Sequence, residues 1–202
     1  MDIENRKQYK NVGKNVTIHD QVAVINPGNI YLSNDIRISE FVYLAGGQGV
    51  FIGNYVHLAT HVVINGGGYC IIEDYVGVAA NSIIITGTDD VFGDGIPSPM
   101  VNKKYRAPTI RSYVHLKKHS FIATNVIIRP GITVGEWAVV GSGSVVTKDL
   151  DPWSVYIGSP VRKIKERKKD SVILAEQKIL KEDPSKKSDF SNIINQICKY
   201  EM

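Results

Sequence analysis

Cysteine is scarce in this chain: only Cys70 and Cys198 occur among 202 residues, far apart and without metal-type spacing. A reduced compartment suits such a chain, and Cys70, near an aliphatic position, reads as a small buried hydrophobe. Long apolar runs are missing too. No stretch approaches the ~20 residues that cross a bilayer, and the start, MDIENRKQYK, is polar. Neither a membrane span nor a secretory leader is expected, and the protein reads as cytoplasmic. Charge of one sign is concentrated in one place only. From Arg162 to Lys181, eight Lys or Arg face three acids, yet no aromatics are interleaved with them. Nucleic acid is therefore not an expected partner; a solvated helix face or a phosphate-bearing ligand suits the run better. With 22% charged and 43% hydrophobic residues, the composition is that of a globular domain with a sizeable core.

What the chain does have is a beat of six. Aliphatic residues fall at Ile18, Val24, Ile30, Ile36 and Val42, then at Ile52, Leu58 and Ile64, then at Ile72, Val78 and Ile84. A last series runs from Ile110 through Leu116, Ile122, Ile128, Val134 and Val140 to Val146. Six is neither the helical period nor strand alternation alone, so it marks an internal repeat. Each hexad holds a short strand and a corner, with the aliphatic side chain turned inward. Three hexads per turn make a triangular parallel β-prism of about six turns, an all-β fold.

The beat is interrupted at Ala45–Val50, at Gly66–Tyr69 and, at length, over 85–109, which holds Thr88, Asp89, Asp90 and three prolines. A long excursion from a regular scaffold commonly carries function. The expected organisation is a prism over 1–160, with residues 1–10 as a short helix or frayed end, and a helical extension over 161–202. One charged helix is expected from Val161 to about Leu180, broken by Asp183-Pro184. A second follows, with Phe190, Ile193, Ile194 and Ile197 at helical spacing. If each hexad resumes on the next face after an interruption, Leu58, Val78 and Leu116 share one face. His61, Asn81 and His119 then form one column, and His57, Gly77 and His115 another.

Together, the hexads, the excursion, the segment GSGSVVTKDLDPW (141–153) and GSPVR (158–162) resemble the hexapeptide-repeat acyltransferases, within them the galactoside and xenobiotic acetyltransferase branch and its relatives in bacterial surface-sugar synthesis. The resemblance covers about residues 12–168 and implies a left-handed parallel β-helix, a homotrimer, and an acetyl-CoA site between subunits. It implies Asn81 as the acceptor contact, and Ala123, Thr124, Gly141, Ser142 and Gly143 as the small residues lining the pantetheine groove. Thr147, Lys148 and Arg162 match polar and basic positions near the nucleotide end, with Lys163 and Arg167 beside them; phosphates want cations and exposed donors. At Thr88 the chain departs from the branch, where the acceptor-activating histidine stands. Asp89 and Asp90 are the nearest replacements, each weighed against an ordinary loop-capping role. His61 and His119 are rival bases, each weighed against an ordinary surface histidine.

A carboxylate is a weak base for a sugar hydroxyl but suffices to orient an amine or take its proton. The missing histidine thus tilts the expected acceptor toward an amino sugar, linked to a nucleotide, with acetyl-CoA as co-substrate. O-acetylation of a sugar or polysaccharide is the alternative. Less favoured are a non-catalytic scaffold and a zinc enzyme of the same fold; paired histidines four apart on a strand and corner point their rings differently, so no metal is expected.

Overall fold

The computed structural model describes residues 8–184, 188–191, 194 and 195. Short parallel strands stack into three faces of a coil. The first face holds Asn11–Val12, Ile30–Leu32, Gly49–Ile52, Tyr69–Ile72, Tyr113–Leu116 and Ile132–Val134. The second holds Val16–Ile18, Ile36–Ile38, His57–Leu58, Gly77–Val78, Phe121–Ile122, Val139–Val140 and Ser154–Ile157. Ala23–Ile25, Tyr43–Ala45, Val63–Asn65, Ile83–Ile85, Ile127–Ile128 and Val145–Val146 make the third. Leu150 bridges Val134 and begins a seventh turn.

Each hexad turns two side chains inward, two residues apart, because strand side chains alternate. Val56 and Leu58, Val76 and Val78, and Ala138 and Val140 are such pairs, all buried. Where the first of the pair is a serine, the hydroxyls of Ser82 and Ser144 are satisfied locally, whereas that of Ser120 is buried without a partner among the described residues. Ser82 Oγ donates to the Ala123 carbonyl at 2.8 Å, and Ser144 Oγ to that of Gly141 at 2.6 Å. Cys70 is fully buried in the same core, and burial pushes its thiol up to about 12.

Two inward positions per hexad explain an error of phase. Ile30, Ile36 and Val42 are the leading members of their pairs; Leu32, Ile38 and Leu44 are the ones in register with Ile52, Leu58 and Ile64. The beat therefore slips by two residues at 26–29 as well as at the two corners seen in the sequence. A larger error follows the excursion. Ile110 is 44% exposed, and Thr109–Arg111 pairs antiparallel with Gly87–Asp89 instead of joining the prism. The coil resumes with Leu116 beside Ile72, so the partner of Val78 is Ile122. His115 thus lies beside Ile71 on the first face, and Phe121 takes the place expected for it beside Gly77.

After the prism, Arg162–Glu166 is a strand, not the start of a helix: it folds back antiparallel on Ser154–Ile157, its charged residues covering the edge of the second face. Helix α1 spans Asp170–Glu182 and ends at Asp183. Ser188 then binds the first-face corner, its N–H donating to Asp74 Oδ2 at 2.8 Å and its hydroxyl accepting from Asn54 Nδ2 at 2.9 Å. Phe190 and Ile194 pack against buried Phe51 and Ile71. Ile193, Ile197 and residues 1–7 lie outside the described residues. No helix among those described is long and apolar enough to cross a membrane.

Candidate active site

Most corners of the coil place one residue in the left-handed backbone region, and two of the three edges matter here. Along the edge between the second and third faces stand Phe41, His61, Asn81 and Asn125, with φ of 61°, 59°, 60° and 59°, and then Gly143 at 70°. Hydrogen bonds tie the corners together: the N–H of His61 donates to Glu40 O, Asn81 to Thr60 O, Asn125 to Ala80 O and Gly143 to Thr124 O, all at 2.9–3.2 Å. Asparagine and glycine suit this conformation because they bear a short polar side chain or none. Ala123 and Gly141 precede their corners on neighbouring turns, with Ala123 N–H donating to Val140 O and Gly141 N–H to Tyr156 O. A side chain at Gly143 would meet no protein atom within 4 Å, so it would fill open space that a ligand can use. Asn81, His61, Ala123, Thr124, Gly141, Ser142 and Gly143 therefore share one ridge.

The basic positions divide. Val161 is buried and its N–H donates to Val145 O, which carries Arg162 to the end of this same ridge. Thr147 and Lys148 are exposed at the other margin of the third face, on the same last turn. Neither Lys148 nor Arg162 enters an ion pair among the described residues. Their positive charge and the bare Gly141–Gly143 corner fit a ligand with a narrow amide arm and a phosphate end. Lys163 is bound 2.5 Å from Glu166, which raises its pKa. Arg167 sits at the opposite margin of the second face, donating to Trp137 O at 3.1 Å, and burial lowers its pKa. The structure does not bring Arg167 to the ridge.

His119 is likewise elsewhere. It occupies the edge between the first and second faces, in a continuous stack with Tyr55, Tyr75, Trp137 and Trp153. Its column partner is Tyr75, not Asn81, because Leu116 resumes one face earlier than the hexad count implies. Helix α1 covers this edge, with Glu176 3.1 Å from His119 Nε2 and also paired with Lys118. Burial pushes His119 down to about 4, against the opposing pull of Glu176. A neutral, stacked, covered imidazole there cannot serve as a base beside Asn81. His115 is buried against Glu73, 2.6 Å away. Burial pushes the Glu73 carboxyl up, but the His115 hydrogen bond and charge, the Lys118 N–H and Lys117 bring it net below its ordinary value. The paired histidines are dispersed over two faces and two edges, and the described residues gather no group of three metal-ligating side chains.

The excursion leaves from the third edge, between the third and first faces. Thr88 is exposed in its stem, opposite Ile110. Asp89 Oδ1 accepts from the Thr109 hydroxyl at 3.1 Å. Asp90 is buried, and its two oxygens accept from the N–H groups of Phe92 (2.9 Å) and Asp94 (3.2 Å), which is a loop-capping arrangement. Farther out, Phe92 and Met100 are 93% and 91% exposed, so the tip does not pack on its own prism.

Known proteins share this architecture. A family profile described as bacterial transferase hexapeptide (six repeats) matches residues 113–148. The dTDP-4-amino-4,6-dideoxy-D-glucose acyltransferase of Escherichia coli is 33% identical over 163 residues, covering 80% of this chain and 84% of the relative. The chain belongs to the hexapeptide-repeat acyltransferases. Among solved members of the family, a variant of AntD, an N-acyltransferase from Bacillus cereus in complex with dTDP-4-amino-4,6-dideoxyglucose and coenzyme A, superimposes with a TM-score of 0.82 at 34% identity, over 90% of this chain and 97% of that one. AntD in complex with dTDP and 3-hydroxybutyryl-CoA gives 0.80 at 34%, over 89% and 94%. The coil is the left-handed β-helix of these acyltransferases, as the resemblance implied.

Sequence reasoning missed Phe41 and Thr60 on the ridge and the whole aromatic stack on the first edge. A signal was present: Tyr55 and Tyr75 are 20 residues apart, as are Phe41 and His61, which is the length of one early turn.

Proposed function

We propose that the protein transfers an acetyl group from acetyl-CoA to the amine of a nucleotide-linked amino sugar in bacterial surface-glycan synthesis, and that it does so as a homotrimer. The observation that carries this reading is the shared ridge: Asn81 stands on the same edge as Ala123, Thr124 and Gly141–Gly143, with Thr88 where a histidine base would be expected. The neutral amine attacks the thioester carbonyl, the C–N bond forms, the C–S bond breaks, and coenzyme A leaves as the thiolate. Of the ridge N–H groups, those of Thr124 and Ser142 donate to no carbonyl among the described residues and are the donors left for the developing oxyanion. The amine's proton passes to a carboxylate of the excursion or to water, which demands no strong base.

A trimer is supported by where the parts stand. Asp89 and Asp90 leave from the third edge and Asn81 lies on the second, separated by a whole face. An acceptor touching both is most simply held between two chains, and the exposed Phe92 and Met100 gain a surface to cover them. Donor sites then lie between subunits. His61, one rung from Asn81, is the single observation favouring O-acetylation. An acetyl-CoA assay over nucleotide-linked amino sugars and neutral sugars, read by product mass, decides between them. Acetylation of neutral sugars alone would overturn the N-acyl reading, and turnover by a strictly monomeric protein would overturn the trimer.

A further inference from the structure

The aromatic pair at the far end of the ridge has no role in packing. Phe41 is 55% exposed and holds a left-handed backbone at φ 61°, a conformation that disfavours bulky side chains. The ring of His61 stacks on it with centroids 5.0 Å apart and planes 25° from parallel. Thr60 Oγ1 lies 3.0 Å from His61 Nδ1 and donates to Glu40 O at 2.8 Å, which fixes the imidazole plane. On the first edge, His119 in the same backbone conformation is covered by Glu176 of helix α1, and Trp137 and Trp153 lie under the cations of Arg167 and Lys169. Among the described residues, no cation or helix covers Phe41 in this way. A strained, exposed, pre-stacked pair has the form of a recognition surface.

Its place on the ridge indicates what it recognises. Asn81 lies one rung beyond His61 and two beyond Phe41, about 10 Å in all at ~4.8 Å per rung. The donor corner Gly141–Gly143 lies on the other side of Asn81. A nucleotide-linked sugar with its amine at Asn81 extends away from the donor, and its sugar and pyrophosphate span those rungs. We propose that Phe41 and His61 form the platform on which the nucleobase of the acceptor stacks, adding a third ring to the pair. This inference rests on the proposed reading of the acceptor as a nucleotide-linked amino sugar.

The decisive variant is Phe41→Asn, because asparagine suits the left-handed corner, as Asn81 and Asn125 do, but cannot stack. Its thermal midpoint should stay equal to or above that of the parent. Binding of dTDP, measured by calorimetry on the intact protein, should weaken roughly 5- to 150-fold, the range found when a base loses an aromatic partner. The Michaelis constant for a dTDP-linked amino sugar should rise with it, while that for acetyl-CoA stays fixed. Phe41→Trp should restore tight dTDP binding. Unchanged dTDP affinity in Phe41→Asn overturns the platform. An equal rise in the acetyl-CoA constant overturns it too, since the rings would then hold the adenine of the donor. If the parent protein binds no dTDP, the platform also falls. If it binds dTDP through Phe41 yet acetylates no nucleotide-linked amino sugar, the platform stands and the proposed reaction falls.

Discussion

The first and second edges of this coil share one backbone and differ in what it carries. Both place a non-glycine residue in the left-handed region on successive turns. Along the first edge these residues are Asn15 and Asp35, and then Tyr55, Tyr75, His119, Trp137 and Trp153, whose ring centroids lie 3.5–5.0 Å apart. Along the second they are Phe41, His61, Asn81 and Asn125, followed by Gly143. On the first edge, stacking offsets the backbone strain, and helix α1 seals the stack through Glu176. On the second, the small corners from Asn81 to Gly143 leave a bare ridge beyond the Phe41–His61 pair, along which a long ligand can lie. A coil of this kind is fixed by its inward pairs, so the corner residue is free to be spent on stability at one edge and on binding at another.

The largest effect expected from breaking this contrast is at Trp137. It is 4% exposed, stacks on His119 and Trp153, and lies beneath the Arg167 guanidinium at 5.4 Å. Trp137→Ala should cost about 3–5 kcal/mol of stability in chemical denaturation, as large core truncations do. At temperatures where the variant is folded, its Michaelis constant for acetyl-CoA should match the parent's. A cost under about 1 kcal/mol, or a selective loss of donor binding, would erase the division between the edges.

Next in size is the response of the first edge to acid. The imidazole of His119 falls from 6.5 to about 4 on folding, chiefly through burial. Between those values the unfolded chain binds the proton more readily, so stability is complete above about pH 6.5 and declines as pH falls toward 4. The decline attributable to His119 is up to about 3 kcal/mol. His119→Phe keeps a ring in the stack but cannot titrate, so its urea midpoint should vary less with pH between 4.5 and 7. An identical slope in both proteins would place the acid sensitivity elsewhere.

How far the sequence was legible differs between the same two edges. The inward beat is local, so the coil, its excursion and the ridge residues Asn81, Ala123, Thr124 and Gly141–Gly143 could be read from spacing and resemblance. Columns could not be read across the excursion. Ile110 satisfies the beat by coincidence in a hairpin strand, and that one extra hexad moved His115 and His119 onto the wrong face and edge. Arg162–Glu166 has the composition of a charged helix. It pairs as a strand because Gly158–Pro160 turns it back against the open edge of Ser154–Ile157, a tertiary demand that overrides local propensity. The aromatic stack escaped notice because its members are 16–44 residues apart, and only the true register brings them together.

The donor end of the ridge offers a middle-sized test. Lys148→Ala with Arg162→Ala removes two cations of the last turn that enter no ion pair among the described residues. Exposed charge-assisted contacts are weaker than buried ones, so the acetyl-CoA constant should rise roughly 10-fold, with the acceptor constant moving far less. Raising ionic strength should shrink the difference between parent and variant, because screening removes the same attraction. A salt-independent loss would mean that the pair shapes the last turn and does not meet phosphate.

The smallest effect is the one that places the acceptor. Asn81 is exposed at the centre of the ridge, between the His61 ring and the Asn125 corner, and its backbone is already satisfied by Thr60. Its side chain is thus free to serve a ligand without cost to the fold. Replacement by aspartate keeps the shape and a tolerable left-handed backbone but exchanges two donors for charge, whereas alanine removes the group and adds corner strain. One neutral hydrogen bond lost corresponds to about 0.5–1.5 kcal/mol, or a roughly 2- to 12-fold rise in the acceptor constant for Asn81→Ala. Asn81→Gly relieves the corner and should show the same kinetic loss with no fall in thermal midpoint. That pairing separates contact from strain. If Asn81→Gly retains the parent's acceptor constant, the sugar does not lie on this rung, and the order of donor, sugar and nucleobase along the second edge must be redrawn.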